Sequence, residues 1–214
     1  MKNPDKPFKK TDISKKEFIE FLLEQKALRF GEFILKSGMK SPFFINLGDV
    51  NRGDAYEFLG RALAQTIRQT FPNVTTLYGP PYKAISMATA TAMAYFREYG
   101  QALYTFYSRK EAKAHGEGGM FVGHRPQPDE TIIIVDDVLT TGGTKLEAMH
   151  LVEETFAVKP AGIVVTVDRR TKQQSDELAG VPFAAVIDLN DIIDYLQKKN
   201  DPHYKTMKAF YEGA

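Results

Sequence analysis

Cysteine is absent from this 214-residue chain, which excludes disulfides, thiolate nucleophiles, iron–sulfur clusters and cysteine-ligated zinc. Net charge is nearly absent as well: 28 Lys and Arg against 27 Asp and Glu leave +1. No global field therefore draws the chain to DNA, RNA or an anionic membrane, so neither nucleic acid nor membrane is an expected partner. Any anion it binds must be recognised locally. Long apolar runs are also missing. The best candidate for a membrane span, Ala84–Phe96, is too short and is broken by Ser86, Thr89 and Thr91. The basic start Met1–Lys10 runs into Thr11 and Asp12 without the apolar core of a signal peptide, so secretion is not expected and a cytoplasmic location is. What is present, 43% hydrophobic and 26% charged residues, is the balance of a globular chain able to bury a core, and it excludes disorder throughout.

The pattern along the chain predicts a single α/β domain over residues 1–214, with an elaborated N-terminus. Residues 1–50 carry a helix and a small hood. Ser14 and Glu17 form a capping box, and Phe18, Phe21 and Leu22 follow at helical spacing. Ala27–Leu35 and Pro42–Leu47 read as strands around the polar break Lys36–Ser41. Residues 51–190 form the core. Asp54 and Glu57 predict a second capped helix with Leu59, Leu63 and Ile67 buried. Five apolar runs then recur, at Val74–Tyr78, Leu103–Tyr107, Thr131–Val135, Gly162–Val167 and Phe183–Ile187. The first four start roughly thirty residues apart, which is the βαβ beat and predicts a five-stranded parallel sheet covered by helices. Ser108–Pro128, crowded with Lys, Arg, Gly and Pro, predicts a long mobile loop of functional interest. Residues 191–214 predict closing helices through Ile192, Ile193 and Leu196, then Met207, Phe210 and Tyr211.

Thr131–Thr144, TIIIVDDVLTTGGT, concentrates the chemistry. An apolar strand ends in Asp136 and Asp137, and a Thr/Gly turn feeds a helix through Leu146, Met149, His150 and Glu153. Ligands of open α/β sheets bind at such carboxyl ends. Thr140, Thr141 and Thr144 offer hydroxyls, while Gly142 and Gly143 let amides converge at a helix N-terminus, which makes a phosphate cradle. Carboxylates that ligate a metal directly at a strand end are not followed at once by such a cradle. A P-loop needs a Gly-Lys pair, and the sequence has none. The glycines Gly116 and Gly118 fail as a dinucleotide fingerprint, because Phe121 stands where a third glycine belongs. His124, His150 and His203 lack metal-ligand spacing. Two acids would repel a phosphate but suit hydroxyls, so the segment points to a sugar phosphate, with phosphate on the Thr140–Thr144 amides and hydroxyls on Asp136 and Asp137.

This segment resembles the phosphoribosyl-pyrophosphate (PRPP) motif of type I phosphoribosyltransferases. Arg109–Gly119, RKEAKAHGEGG, resembles the signature loop of the orotate phosphoribosyltransferases within that family. Leu35–Phe44 (LKSGMKSPFF), Tyr78–Lys83 (YGPPYK) and Val167–Arg169 resemble their N-terminal motif, pyrophosphate loop and base-side strand end, so the likeness spans about residues 30–170. The resemblance implies a type I phosphoribosyltransferase-like fold with an N-terminal hood and a flexible catalytic loop. It implies transfer of ribose 5-phosphate from PRPP to orotate with Mg²⁺, which is held mainly through PRPP with no direct protein ligand. Lys36, Tyr82, Lys83, Arg109, Lys110, Lys113, His115, Asp136, Asp137, Val138, Leu139, Thr140, Thr141, Gly142, Gly143 and Thr144 would bind PRPP. Among these, Lys113, Arg109, Asp136 and Asp137 would be catalytic. Phe44, Ile45 (where relatives often carry a second aromatic), Thr140 and Arg169 would meet orotate, with Arg170 the alternative carboxylate partner. A homodimer sharing the loop 108–119 across subunits is implied. The alternatives are a phosphoribosyltransferase for another base and a non-catalytic PRPP sensor.

Overall fold

Ser14 starts the first helix, α1 (Lys15–Glu24), through the expected reciprocal cap: the Glu17 amide donates to Ser14 Oγ at 3.2 Å and the Ser14 amide to Glu17 Oε2 at 2.8 Å. The computed structural model describes residues 12–34, 38, 40–113, 119–174, 177–178 and 180–213, with the side chains of Ala112 and Lys113 outside the described set. Phe18, Ile19, Phe21 and Leu22 bury one face of α1. That face packs on the last strand and the penultimate helix, so α1 belongs to the body of the domain while the hood is the hairpin alone. β1 (Leu28–Ile34) and β2 (Lys40–Ile45) form this antiparallel hairpin.

α2 (Gly53–Thr70) buries Leu59, Leu63 and Ile67 as expected, but its cap differs from the expected one. Arg52 occupies the N-cap without a side-chain cap bond, and Asp54 forms a two-pronged pair with it at 3.1 and 2.9 Å. Glu57 reaches Arg97 on the next helix rather than back to the cap. A planar fork matched to two oxygens outcompetes single amides for the same carboxylate.

The remaining elements are β3 (Thr76–Tyr78), α3 (Lys83–Tyr99), β4 (Tyr104–Lys113), β5 (Gly119–Gly123), β6 (Ile132–Leu139), α4 (Gly143–Phe156), β7 (Gly162–Asp168), β8 (Phe183–Asp188), α5 (Leu189–Lys198) and α6 (Tyr204–Glu212). The five expected strands are present and parallel, but the sheet is mixed and six-stranded, in the order β5-β4-β3-β6-β7-β8. The extra strand is β5, antiparallel to β4 through Phe106↔Gly123, Tyr107↔Val122 and Ser108↔Phe121. The segment read as one long loop is therefore largely a two-stranded ribbon. Phe121 explains it, because its ring packs 5.9 Å from Tyr78, 5.8 Å from Phe106 and 4.8 Å from Phe156, burying the one apolar stretch between the charges.

Strand alternation divides the core in two. Ile133, Val135, Val164 and Val167 face α2, α3 and α5, while Ile132, Ile134, Ile163 and Val165 face Ala148, Met149 and Val152 of α4. Ala84–Phe96 is part of α3, and among the described residues no helix is long and apolar enough to cross a membrane. α6 closes over the hood, with Phe210 edge-on to Phe43 at 5.5 Å. Strand order reverses beside β3: the chain moves to β4 on one side and then to β6 on the other. Their carboxyl ends diverge there, which opens the crevice where α/β sheets bind ligands.

Candidate active site

β6 delivers the twin acids to that crevice. Ile132–Val135 are fully buried, and the polar pair Asp136–Asp137 follows as the strand leaves the core. Asp136 Oδ1 accepts the Asp137 amide at 2.8 Å, and Asp137 Oδ1 accepts the Val138 amide at 2.7 Å, so both carboxylates are held by the backbone. The Thr166 hydroxyl of β7 donates to the Asp137 carbonyl. Each acid also has its own lysine. Lys145 Nζ lies 2.7 Å from Asp136 Oδ2, and Lys83 pairs with Asp137 Oδ2. Burial pushes the Asp136 carboxyl above the ordinary carboxylate range; Lys145 pulls it down and Asp137 adds to the rise.

The cradle follows directly. Gly142 is the N-cap of α4 at φ +112°, a conformation that favours glycine, and no side chain caps the helix. The Lys145 and Leu146 amides both turn back to the Gly142 carbonyl, at 2.9 and 3.0 Å. The first amides of the helix have no intrahelical acceptor by construction, so they face the crevice as an anion seat. Thr140 and Thr144 are exposed and Thr141 half-buried around it. Behind the turn, the Glu177 amide donates to the Thr141 carbonyl at 3.3 Å, and Leu178 is packed so tightly on Gly142 that an added Cβ would lie 2.7 Å from its Cγ.

The β3 end supplies the opposite wall. Gly79 donates its amide to the Phe106 carbonyl at 3.0 Å, the Pro81–Tyr82 peptide is cis, and Tyr82 stands 65% exposed before α3. Lys110 of β4 places its ammonium 4.8 Å from the Tyr82 ring centroid, so two expected PRPP contacts meet. Arg109 Nη1 donates to the Gly119 carbonyl at 3.0 Å, across the ribbon. Beneath them the Tyr78 hydroxyl and Ser108 Oγ share a buried bond of 2.8 Å, and burial raises the Tyr78 phenol above its ordinary range. The Lys113 backbone pairs with Gly119 at the end of β4. Its side chain, together with Lys36 and His115, lies outside the described residues.

The base side separates two adjacent arginines. Arg170 is spent on Asp168, with Nε and Nη2 donating to its carboxylate at 3.0 and 2.7 Å. Arg169 instead lies over the Phe43 ring at 5.0 Å, and burial alone lowers its guanidinium below the ordinary range, with no carboxylate beside it among the described residues. β2 alternation puts Phe43 and Ile45 into the core and turns Phe44 the other way, against Phe33 at 5.5 Å and the Arg29 guanidinium at 5.3 Å. Arg169 thus meets Phe43 rather than the expected Phe44. Lys145 and Phe43 are the residues the sequence reading overlooked. Lys145 had a readable signal, because it stands three, four and seven positions before the apolar Ala148, Met149 and Val152.

Comparison with known proteins places this geometry among relatives. Residues 47–179 match the family model described as the phosphoribosyl transferase domain. An orotate phosphoribosyltransferase of Pseudomonas fluorescens is 38% identical over 209 residues, covering 92% of this chain and 96% of its own length. The crystal structure of an orotate phosphoribosyltransferase from Francisella tularensis superposes with a TM-score of 0.79 at 30% identity, over 92% of this chain and 98% of that one. An orotate phosphoribosyltransferase from Mycobacterium tuberculosis, solved with PRPP, shares the fold at 21% identity and a TM-score of 0.62, over 83% of this chain and 98% of that one.

Proposed function

The chain belongs to the orotate phosphoribosyltransferases, and from that membership we propose the course of its reaction: PRPP gives its 5-phosphoribosyl group to N1 of orotate, with inversion at C1, yielding orotidine 5′-monophosphate and pyrophosphate. The product serves pyrimidine nucleotide synthesis, and a cytoplasmic site is part of the same proposal. One observation carries the assignment of the seat. The uncapped N-terminus of α4 follows two lysine-matched acids directly, at the point where strand order reverses.

In this reading the 5-phosphate lies on the amides and hydroxyls of Thr140–Thr144, and the ribose hydroxyls donate to Asp136 and Asp137. Pyrophosphate meets Tyr82, Lys83 and Lys110, with Lys36 and His115 completing its shell. Departure of pyrophosphate leaves an electron-poor ribose, so the cations serve the leaving group, and Lys113 is the residue we assign to stabilising it. Orotate is already anionic and needs no strong protein base. Arg169 offers a planar fork to its carboxylate, backed by Phe43, while Asp168 removes Arg170 from competition. Thr140 stands at the same edge. Phe44 and Ile45 contribute through the hood strand that carries them rather than by ring stacking.

Mg²⁺ fits this site as a companion of the substrate. Among the described residues no cluster of three His, Asp or Glu could hold a metal, and both acids are matched by lysines. Pyrophosphate and ribose oxygens would carry the ion, whose chemistry is to neutralise the leaving charge. A homodimer belongs to the proposal as well, with Arg109 and Lys113 acting on the neighbouring subunit's PRPP. Met93 and Phe96 support it: one helical turn apart on α3, they are 70% and 59% exposed, an apolar face suited to a second copy.

The test is the fall in orotate absorbance with PRPP and Mg²⁺, run beside uracil, hypoxanthine and adenine. Orotate alone is expected to be consumed. Turnover of a purine with orotate untouched would overturn the assignment.

A further inference from the structure

Lys145 stands where α4 should present an apolar side chain. Ala148, Met149 and Val152 complete its stripe and pack on the sheet, yet the first position of that stripe is a lysine only 7% exposed. Taking an ammonium out of water is costly unless it is paired, and this one is paired with a single group, Asp136 Oδ2 at 2.7 Å. The twin acids are therefore unequal. The partner of Asp137, Lys83, has a side chain 49% exposed at the edge of the crevice, so it is free to turn to an arriving anion. The partner of Asp136 is locked in a helix and has nowhere else to go.

A carboxylate has about four acceptor directions. In Asp136 one is taken by the Asp137 amide on Oδ1 and one by Lys145 on Oδ2, which leaves about two for hydroxyls. The groups that face it are Lys145 from α4, Asp137 and through it Lys83, and the Tyr78 phenol from β3. Only Lys145 is a cation in direct contact, and burial otherwise works against the charged form.

We propose that Lys145 is a positioning residue for PRPP: it holds Asp136 ionised and in one orientation, so that the remaining acceptor sites are ready for the ribose hydroxyls before the ligand arrives. This rests on the placing of PRPP argued above. Because α4 begins at the cradle, Lys145 also ties the seat of the ribose to the seat of the 5-phosphate through a single turn of helix.

The experiment is PRPP binding with Mg²⁺ by calorimetry across pH, on the wild type, Lys145→Met and Lys145→Arg, with thermal melts as a check on folding. In Lys145→Met the acid limb of PRPP affinity is expected to move up by about one unit or more. At pH 6 its affinity relative to wild type then falls about tenfold further than at pH 8.5, while KM for orotate stays within about twofold. Lys145→Arg, which keeps the charge, is expected to return the limb toward its wild-type position. A Lys145→Met profile superposing on wild type, or an Arg variant shifted as far as the Met variant, would overturn the inference. Should the Met variant not fold, Lys145→Gln is read in the same way. In the unaltered protein, a Lys145 ammonium whose protons exchange as fast as a surface lysine's would also overturn it. Failure of the wild type to bind PRPP would instead sink the underlying placing of the substrate, and this inference with it.

Discussion

Replacing Arg169 by methionine separates base recognition from every other task of the site. The guanidinium is half-buried over Phe43, desolvated, and without a carboxylate among the described residues, so it is a cation prepared for an anion. Orotate would supply that anion, and removing one partner of a buried, hydrogen-bonded charge pair costs about 2–5 kcal/mol. That corresponds to a loss of roughly 30- to 5,000-fold in kcat/KM for orotate. Uracil has no carboxylate, so the preference for orotate over uracil should shrink by the same factor, while KM for PRPP stays within about threefold. Stability should barely change. The lost contact with Phe43 is worth about 0.5–2 kcal/mol, and relief of an unpaired buried charge opposes it. The melting temperature is then expected to move by no more than roughly 2–4 °C for a chain of this size. The assay is the decline in orotate absorbance at saturating PRPP and Mg²⁺, with uracil in parallel. Retention of orotate kcat/KM within about threefold, or an unaltered orotate-to-uracil ratio, would refute the carboxylate assignment.

Lys113→Ala is expected to lower kcat by on the order of 10² while PRPP still binds, and mixing it with Asp137→Asn should restore part of the activity if subunits share ribbons; a mixture as inactive as its parents would rule that sharing out. Gly142→Ala forces a Cβ into a φ of +112° and to within 2.7 Å of Leu178, so it should cost about 1–3 kcal/mol in denaturant unfolding and abolish the rise in melting temperature caused by PRPP with Mg²⁺. Glu130 sits far from the crevice, where burial pushes its carboxyl up, but bonds from Thr76 and from His124 Nε2, the latter at 2.6 Å, outweigh this and leave it lowered. A lowered carboxyl stabilises the fold above the unfolded value of about 4.3 and loses that contribution as pH falls through the folded value. Glu130→Gln should therefore be less stable than wild type at neutral pH, with the gap closing below about pH 4 in urea titrations; a gap independent of pH would show that the charge is irrelevant.

Features specified by neighbours in the chain were legible from the residues alone. The Ser14–Glu17 cap closes within four positions, and the apolar runs ending at Asp136–Asp137 carry their own period. The Gly142 turn is equally local, because only its backbone freedom is needed to seat α4. Features that depend on distant partners were not legible. The charged half of β4 reads as loop because its strand partner and the aromatic cluster around Phe121 lie elsewhere. Asp54 and Glu57 match a capping box on paper, but Arg52 and Arg97 claim them in space. Both cases show the same competition, in which a long-range or two-pronged contact outweighs a weak local preference.

By itself, then, the sequence determined the strand-tip acids, the glycine-threonine bend, the parallel β-α beat and the resemblance these carry, since each is written in contiguous residues and enforced by backbone geometry. Only the tertiary structure decided which of two neighbouring arginines stays available, that Phe43 rather than Phe44 lies beneath it, and that a lysine from the buried stripe of α4 holds Asp136. Those choices depend on which charged groups are brought within about 3 Å of one another in a medium poor in water, and spacing along a chain does not encode that.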